Sequence, residues 1–447
     1  MKKYLLGTII LLIFSMSGCE RGAISDGGNG ISESLTETYI EESSEANETE
    51  GLQDDVAVPG TESEEIVSEE SEEEISETEV LISLAGDVTL GTHHKQEYAY
   101  SFTQAYDREQ NPGYFFQNVL DIFAGDDMTL VNLEGLFTER TEKNGKRNFY
   151  IKGKPEYADI LPVSSIEAVS MANNHRLDYG EQATLDTVEL LDERGIVYAY
   201  EDCLGIYETK GIRIGFVSVS KIPKSKEVEK LLKESIEKLR SEGVDLIFAC
   251  CHCGVEATHK IEQYQKTLAH SCIDWGADLV IGHHPHVLQG IEEYKGKYIF
   301  YSLGNFCFGG NRNPPDKDTM IVQVCYHFLD GVRQGKPTVK IIPCSISSIK
   351  ERNDYVPTPK DGEEGERILQ KIRDISKEFA LKVDEDGYII SDSEENPEEN
   401  LDELPEENLD ELPEENFVEN PEENPEGILE EKPVENSEEI PKEIPEG

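Results

Sequence analysis

The sequence predicts an α/β domain built on mixed sheets, with its chemistry on loops at one edge. Short apolar runs recur that stop at a glycine or a polar cluster, as buried strands do. Amphipathic helical stretches alternate with these runs, and Lys-Gly turns join others into hairpins. Side chains that bind metals or move protons stand just past several runs, where the loops of a layered sheet gather.

The folded part is expected over residues 80–392. Residues 1–19 hold two lysines, an apolar run too short to span a bilayer unaided, and then MSGC, the layout of a secretory leader. MSGC resembles a bacterial lipobox, which implies diacylation of Cys19 and a lipid anchor on the extracellular face of the membrane. At about 0.8 kcal/mol per buried methylene, two chains hold firmly where one holds marginally. A cleaved, released product is the alternative. Residues 20–79 are Ser, Glu, Thr and Gly with scattered apolar residues, too few to offset ordering entropy, so a disordered acidic linker is expected. As a flexible coil of roughly sixty residues it would average about 40–45 Å end to end. Residues 393–447 repeat NLDELPEE and drift into NPEENPEG, a Glu/Pro-rich tail also expected to be disordered.

Of the net charge of −52, about −20 falls in the linker and about −21 in the tail, and with the leader's two lysines adding +2 this leaves about −13 for the domain. No basic footprint for nucleic acid exists in such a chain. Nine cysteines include Cys19, and the remaining eight permit disulfides by number. Cys250 and Cys251 adjoin in one apolar strand and Cys272 sits on a helix face, which favours buried free thiols.

In chain order, VLISLAGDVTLG opens the domain as a strand with Asp87 at its end, a turn-former or a metal ligand. Residues 114–123 look like a short aromatic helix, and MTLVNLEG is a second strand ending in Asn132, Leu133 and Glu134. A locally basic loop follows, with Lys143, Lys146, Arg147, Lys152 and Lys154 around Phe149 and Tyr150, either a clamp for phosphate or carboxylate or a solvated loop. IEAVSMANNHRLDYG is a strand ending in Asn173, Asn174 and His175, with Asp178 one helical turn on, and a helix covers residues 181–194.

IYETKGIRIGFVSVS reads as a hairpin, and Val228, Leu231, Leu232, Ile236 and Leu239 make the apolar stripe of a core helix. VDLIFACCHCGVEATH is another strand whose end carries His252, Gly254, Glu256 and His259. Its Cys250-x-x-Cys253 has zinc-knuckle spacing but lacks a second pair. A helix over residues 262–275 leads to DLVIGHHPHVLQGIEEYKGKYIFYSLGNFCF, in which a buried strand stops at Gly282 and His283, His284 and His286 surround Pro285. A hairpin turning at Lys295-Gly296 ends on Gly304-Asn305. Two further strands and a helix over residues 363–379 close the domain.

Asp87, Glu134, Asn174, His175, His252, His284 and His286 all lie just past apolar runs, an arrangement that looks like a dinuclear metal site. Carboxylates can bridge two ions, imidazole and amide oxygen can complete the shells, and each ion lowers the pKa of a shared water.

GDVTLG, NLEG, ANNHRLDYG, HCGVE and GHHPHVLQGIEEYKGKYIFYSLGNF stand in the order and spacing of the CapA family of poly-γ-glutamate capsule synthesis proteins, which are similar to calcineurin-like metallophosphoesterases. The resemblance covers residues 80–308. It implies a four-layer sandwich of two mixed β-sheets flanked by helices, and divalent ions, two of them, of manganese, zinc or iron. Carried over by motif, Asp87, Glu134, Asn174, His252, His284 and His286 would be the metal ligands, with Glu134 the bridge. His175 with Asp178 would be the catalytic pair, and Arg147, Lys152, Glu256 and Asn305 would meet substrate.

Thr89 stands where metallophosphoesterases usually place a histidine, with His93 or His94 as substitutes, and which two of His283, His284 and His286 point inward stays open. Cys253 and Ala257 stand where the family mostly has Trp and Tyr.

Three functions follow from the resemblance. One is a surface lipoprotein that makes, transfers or anchors an anionic γ-linked glutamate polymer or a related wall polymer. Another is a docking component of a membrane polymer synthase that does not turn over. The third is a generic extracellular phosphoesterase.

Overall fold

In the computed structural model, residues 75–220 and 226–390 are described. The expected leader with Cys19, nearly all of the expected linker, and the tail lie outside the described residues. β1 (Glu77–Thr89), β2 (Met128–Leu133), β3 (Ala168–Ser170) and β4 (Val197–Ala199) pair in parallel in that order. The next six strands make a second sheet: β5 (Gly205–Thr209), β6 (Ile212–Ser220), β7 (Leu246–His252), β8 (Leu279–His283), β9 (Ile291–Tyr294) and β10 (Lys297–Phe300). Its order is β9-β10-β8-β7-β6-β5, parallel through the middle and closed by an antiparallel hairpin at each side.

The chain then returns to the first sheet. β11 (Asn305–Phe308) pairs in parallel with the end of β1, while β12 (Asp318–Leu329), β13 (Val332–Ser345) and β14 (Thr358–Pro359) extend the sheet by antiparallel pairing. The result is an eight-stranded and a six-stranded sheet, both mixed.

Strand periodicity decides the layers. Ile82, Leu84 and Leu130 of the first sheet meet Phe216, Phe248 and Phe300 of the second in one buried core. The outer face of the first sheet is covered by α1 (Phe102–Glu109), whose N-terminus Ser101 caps by accepting the Gln104 N–H, and by α2 (Glu181–Glu193). The outer face of the second is covered by α3 (Lys226–Ser241), through Leu232, Ile236 and Leu239, and by α4 (Gln263–Trp275). Glu262 and Gln265 form a capping box at the start of α4, and Gly276, at φ 116°, ends it. Finally α5 (Gly362–Ile375) brings Ile368, Leu369 and Ile372 into the inter-sheet core. This is the expected four-layer sandwich. Among the described residues, no helix is long and apolar enough to cross a membrane.

Local departures have packing causes. The helix expected over residues 114–123 is instead a 3₁₀ turn, Pro112–Tyr114, and a single helical turn, Leu120–Phe123. Adjacent Phe115 and Phe116 pack in different directions, the first on Phe102 at 4.4 Å between ring centres and the second on Phe306 at 6.1 Å, and these contacts outweigh helix propensity. Cys250 lies in the inter-sheet core while Cys253 lies under the helices of the second sheet, so the zinc-knuckle pair faces opposite ways. All eight described cysteines are free thiols, as expected.

One backbone contact places the first site residue. The Asp87 N–H donates to the Gly304 carbonyl at 2.9 Å, and a Cβ on Gly86 would stand 2.0 Å from that oxygen. Gly86→Ala should therefore destabilise the domain by about 1–3 kcal/mol, as overpacking does, read as a lower urea midpoint with an unchanged slope.

Candidate metal centre

Parallel strands end together, so the residues that follow them share one rim. From the first sheet come Asp87 at the end of β1, Glu134 after β2, and Asn174 with His175 after β3. From the second come His252, the last residue of β7, His283, the last residue of β8, and the turn that carries His284 and His286 just after it. Within that turn His284 and His286 both adopt left-handed φ, 97° and 58°. Non-glycine residues seldom take that conformation, and two together around a proline mark backbone held in place for a purpose.

Glu134 sits at the centre. It is fully buried, and neither carboxylate oxygen has a hydrogen-bond partner. His286 Nε2, His252 Nε2 and His175 Nε2 stand 3.7, 3.8 and 3.9 Å from its Oε1. These gaps are too long for hydrogen bonds, yet separations of about 3–4 Å arise when two donors each lie about 2.1 Å from one ion. Ligand atoms of Asp87, Glu134 and His286 lie within 4.8 Å of one another, and so do those of Glu256, His284 and His286. His252 Nε2 is 2.7 Å from Asn174 Oδ1 and 3.2 Å from His284 Nδ1. An orphaned carboxylate ringed by nitrogen and oxygen donors fits divalent cations.

The surroundings orient these donors. Asp87 contacts His283 Nδ1 and His286 Nδ1, each at 3.2 Å, and accepts the Asn132 amide N–H at 2.8 Å. His175 Nδ1 lies 2.7 Å from Asp178 Oδ2, which also accepts the Ile151 N–H at 2.6 Å, so the carboxylate fixes the imidazole with its Nε2 toward Glu134. Arg147 bridges Asp178, at 3.5 Å, and the Asn174 carbonyl. Asn305 Oδ1 is 3.0 Å from His286 Nδ1, where it positions that ring, and Glu256 is exposed beside His284 and His286. Lys152 is committed elsewhere: its ammonium donates to the carbonyls of Thr138 and Arg140 and lies over the Tyr179 ring.

All three histidines of the turn adjoin the centre, His284 and His286 among the grouped donors and His283 through Asp87. Thr89 is buried. His93 and His94 belong to none of the described groups, their Nδ1 atoms instead accepting the Lys95 and Tyr150 N–H. The ligand set that the resemblance implied did not include Asn132, and which two of His283, His284 and His286 point inward had stayed open. Asn132 was visible as a polar residue inside an apolar strand two positions before Glu134, and strand alternation puts both on one side.

Residues 81–310 match the family described as bacterial capsule synthesis protein PGA_cap. The chain is 29% identical over 332 residues to the PGA biosynthesis protein CapA of Bacillus subtilis, which spans 69% of this chain and 81% of that one. It is 28% identical over 292 residues to the capsule biosynthesis protein CapA of Bacillus anthracis, 59% of this chain and 67% of that one. A probable polyglutamine synthesis accessory protein of Mycobacterium tuberculosis is 26% identical over 208 residues, 40% and 55% of the two chains. Among solved structures, a hypothetical protein of Thermus thermophilus aligns with a TM-score of 0.36 at 16% identity, covering 59% of this chain and 99% of that one.

Electrostatics set the ion-free state of the centre. Burial pushes the Glu134 carboxyl up to about 7, against the pull of His286. Burial would raise Asp87 too, but its contacts with His283 and His286 hold it well below the usual carboxylate range. Burial also drives His252 well below the ordinary imidazole value and His284 down to about 4, which keeps both neutral and able to donate to a metal. Burial opposes the charge on His286, yet Glu134 and Asp87 raise it to about 10.

A carboxyl raised in the folded state contributes stability that is full below its unfolded value of 4.5 and is lost as pH rises through about 7. With metal stripped from both, Glu134→Gln should therefore gain roughly 2–3 kcal/mol relative to wild type between about pH 5 and about pH 8, read by urea denaturation.

Proposed function

Because the chain belongs to the bacterial capsule synthesis family that its residues 81–310 match, we propose that it makes, transfers or anchors an anionic γ-linked glutamate polymer, or a related wall polymer, through a metal-dependent hydrolytic or transfer step. The observation that carries this reading is Glu134, a buried carboxylate without a hydrogen bond, faced by three imidazoles. Asp87, Glu134 and His286 would hold one divalent ion, and Glu134, Asn174, His252 and His284 a second, of manganese, zinc or iron. Such ions supply Lewis-acid polarisation and acidify water.

The chain's own residues supply the rest. His175, oriented by Asp178, faces Glu134 and can hand a proton to a leaving atom there. Arg147 gives the mouth of the site a planar cation that can pair with a carboxylate or phosphate of the polymer. Glu256 and Asn305 shape the His286 side of the site. In this reading Cys19 carries lipid and the protein works on the extracellular face of the membrane, beside membrane components of a poly-γ-glutamate synthase.

Metal analysis with turnover assays tests the proposal. Loaded wild type should hold two ions per chain, and Asp87→Asn and His252→Ala should each lose them. His175→Ala should keep its metal and lose about 10²–10⁴-fold in turnover of γ-linked glutamate oligomers. Bound metal without turnover would assign the chain to docking, and turnover of simple phosphoesters alone to a generic phosphoesterase. Wild type that takes up almost no metal under loading conditions sinks the hydrolytic reading.

A further inference from the structure

At the start of β1, far from the candidate centre, another set of metal-binding side chains converges. Glu79 of β1 pairs directly with His327 of β12, and Cys325 lies two residues along β12, hence on the same face. Val80 and Ile82, with Val324 and Tyr326, point into the inter-sheet core, so this trio lies on the opposite face of the sheet. Glu79 Oε1 is 3.2 Å from His327 Nδ1, and one ligand atom from each of Glu79, Cys325 and His327 falls within 4.8 Å of the others. Asp87 is eight residues further along β1, roughly 26 Å at about 3.3 Å per residue, so the two clusters cannot share an ion.

We propose that Glu79, Cys325 and His327 form a separate site for a zinc-like divalent ion. Thiolate, imidazole and carboxylate are the donors that zinc takes, and three of them leave a fourth position to water or a further ligand. Among the described cysteines Cys325 alone is not buried, so an ion from solvent can reach it. The local charge favours a cation. Burial, and then Glu79 and Asp127, hold the Cys325 thiol protonated against the pull of Lys210. Lys210 is itself engaged, donating to Asp127 Oδ2 at 2.7 Å and to the Glu79 carbonyl at 2.8 Å. Binding would form the metal–sulfur bond and release the thiol proton to solvent. The ion would fasten the strand by which the chain enters the domain to its antiparallel neighbour.

Cobalt is a spectroscopic stand-in for zinc. The full-length protein, stripped of metal and titrated with Co²⁺, should develop thiolate-to-cobalt charge-transfer absorption. The band should persist in Asp87→Asn, which separates this site from the candidate centre, and vanish in Cys325→Ser. His327→Ala keeps the thiol and should bind Co²⁺ more weakly by more than the roughly 10–100-fold that loss of an outer-shell partner costs. A wild type with native circular dichroism and no band overturns the proposal. So does a band that survives in Cys325→Ser, or one of unchanged affinity in both His327→Ala and Glu79→Gln, since then the trio does not act as a unit.

Discussion

A carboxylate buried without a hydrogen bond is the constraint around which the domain is arranged. Leaving a charge unpaired in the interior costs several kcal/mol, and a folded chain keeps one only where something else compensates it. At Glu134 the candidates for compensation come from every direction: Asp87 and Asn174 from its own sheet, His252 and the His283–His286 turn from the facing one. Parallel pairing brings the donors to a common rim, the left-handed residues beside Pro285 aim two of them, and Asn132, Asp178 and Asn305 hold individual side chains in orientation. The fold thus groups Asp87, Glu134, His284 and His286, four of the ligands that the resemblance implied, at one place.

The layered architecture was legible because buried parallel strands write themselves as uninterrupted apolar runs. The strand Leu246–His252, LIFACCH, and the strand Leu279–His283, LVIGH, could be nothing else once a helix stood between them. Hairpins at Lys210-Gly211 and Lys295-Gly296 were equally plain, since both turns need positive φ and each residue adopts it. Less legible were the strands Val197–Ala199 and Asn305–Phe308, which are short and owe their conformation to the neighbours they pair with. The Phe115-Phe116 segment misled for a related reason: two adjacent aromatics read as helix anchors locally, whereas each answers to a different wall of the core.

For the site, residue type and position past a strand carried most of the reading. Glu134, His252 and His286 stood out as polar groups where an apolar run stops, and the fold brings them within reach of one another. Direction within a loop was beyond that logic. Lys152 sits in the same basic stretch as Arg147, yet its ammonium satisfies backbone carbonyls while Arg147 reaches the rim, a difference decided by two residues of strand at Ile151–Lys152. Asn132 shows the converse, a supporting residue inside a strand whose role depends on a partner forty-five positions earlier.

Drawing donors from both sheets has a mechanical side. Elsewhere the two faces meet mainly through apolar side chains such as Leu84, Phe248 and Phe300, and such contact is non-directional, so it resists separation more than sliding. Coordinate bonds from both sheets to a shared ion would act as a rivet at one end of the sandwich, where any slide stretches a bond of fixed length. Shear stiffness and chemistry would then have the same origin, and amides along Ala168–Ser170 and Leu246–His252 would report occupancy through their exchange rates without themselves touching the ion.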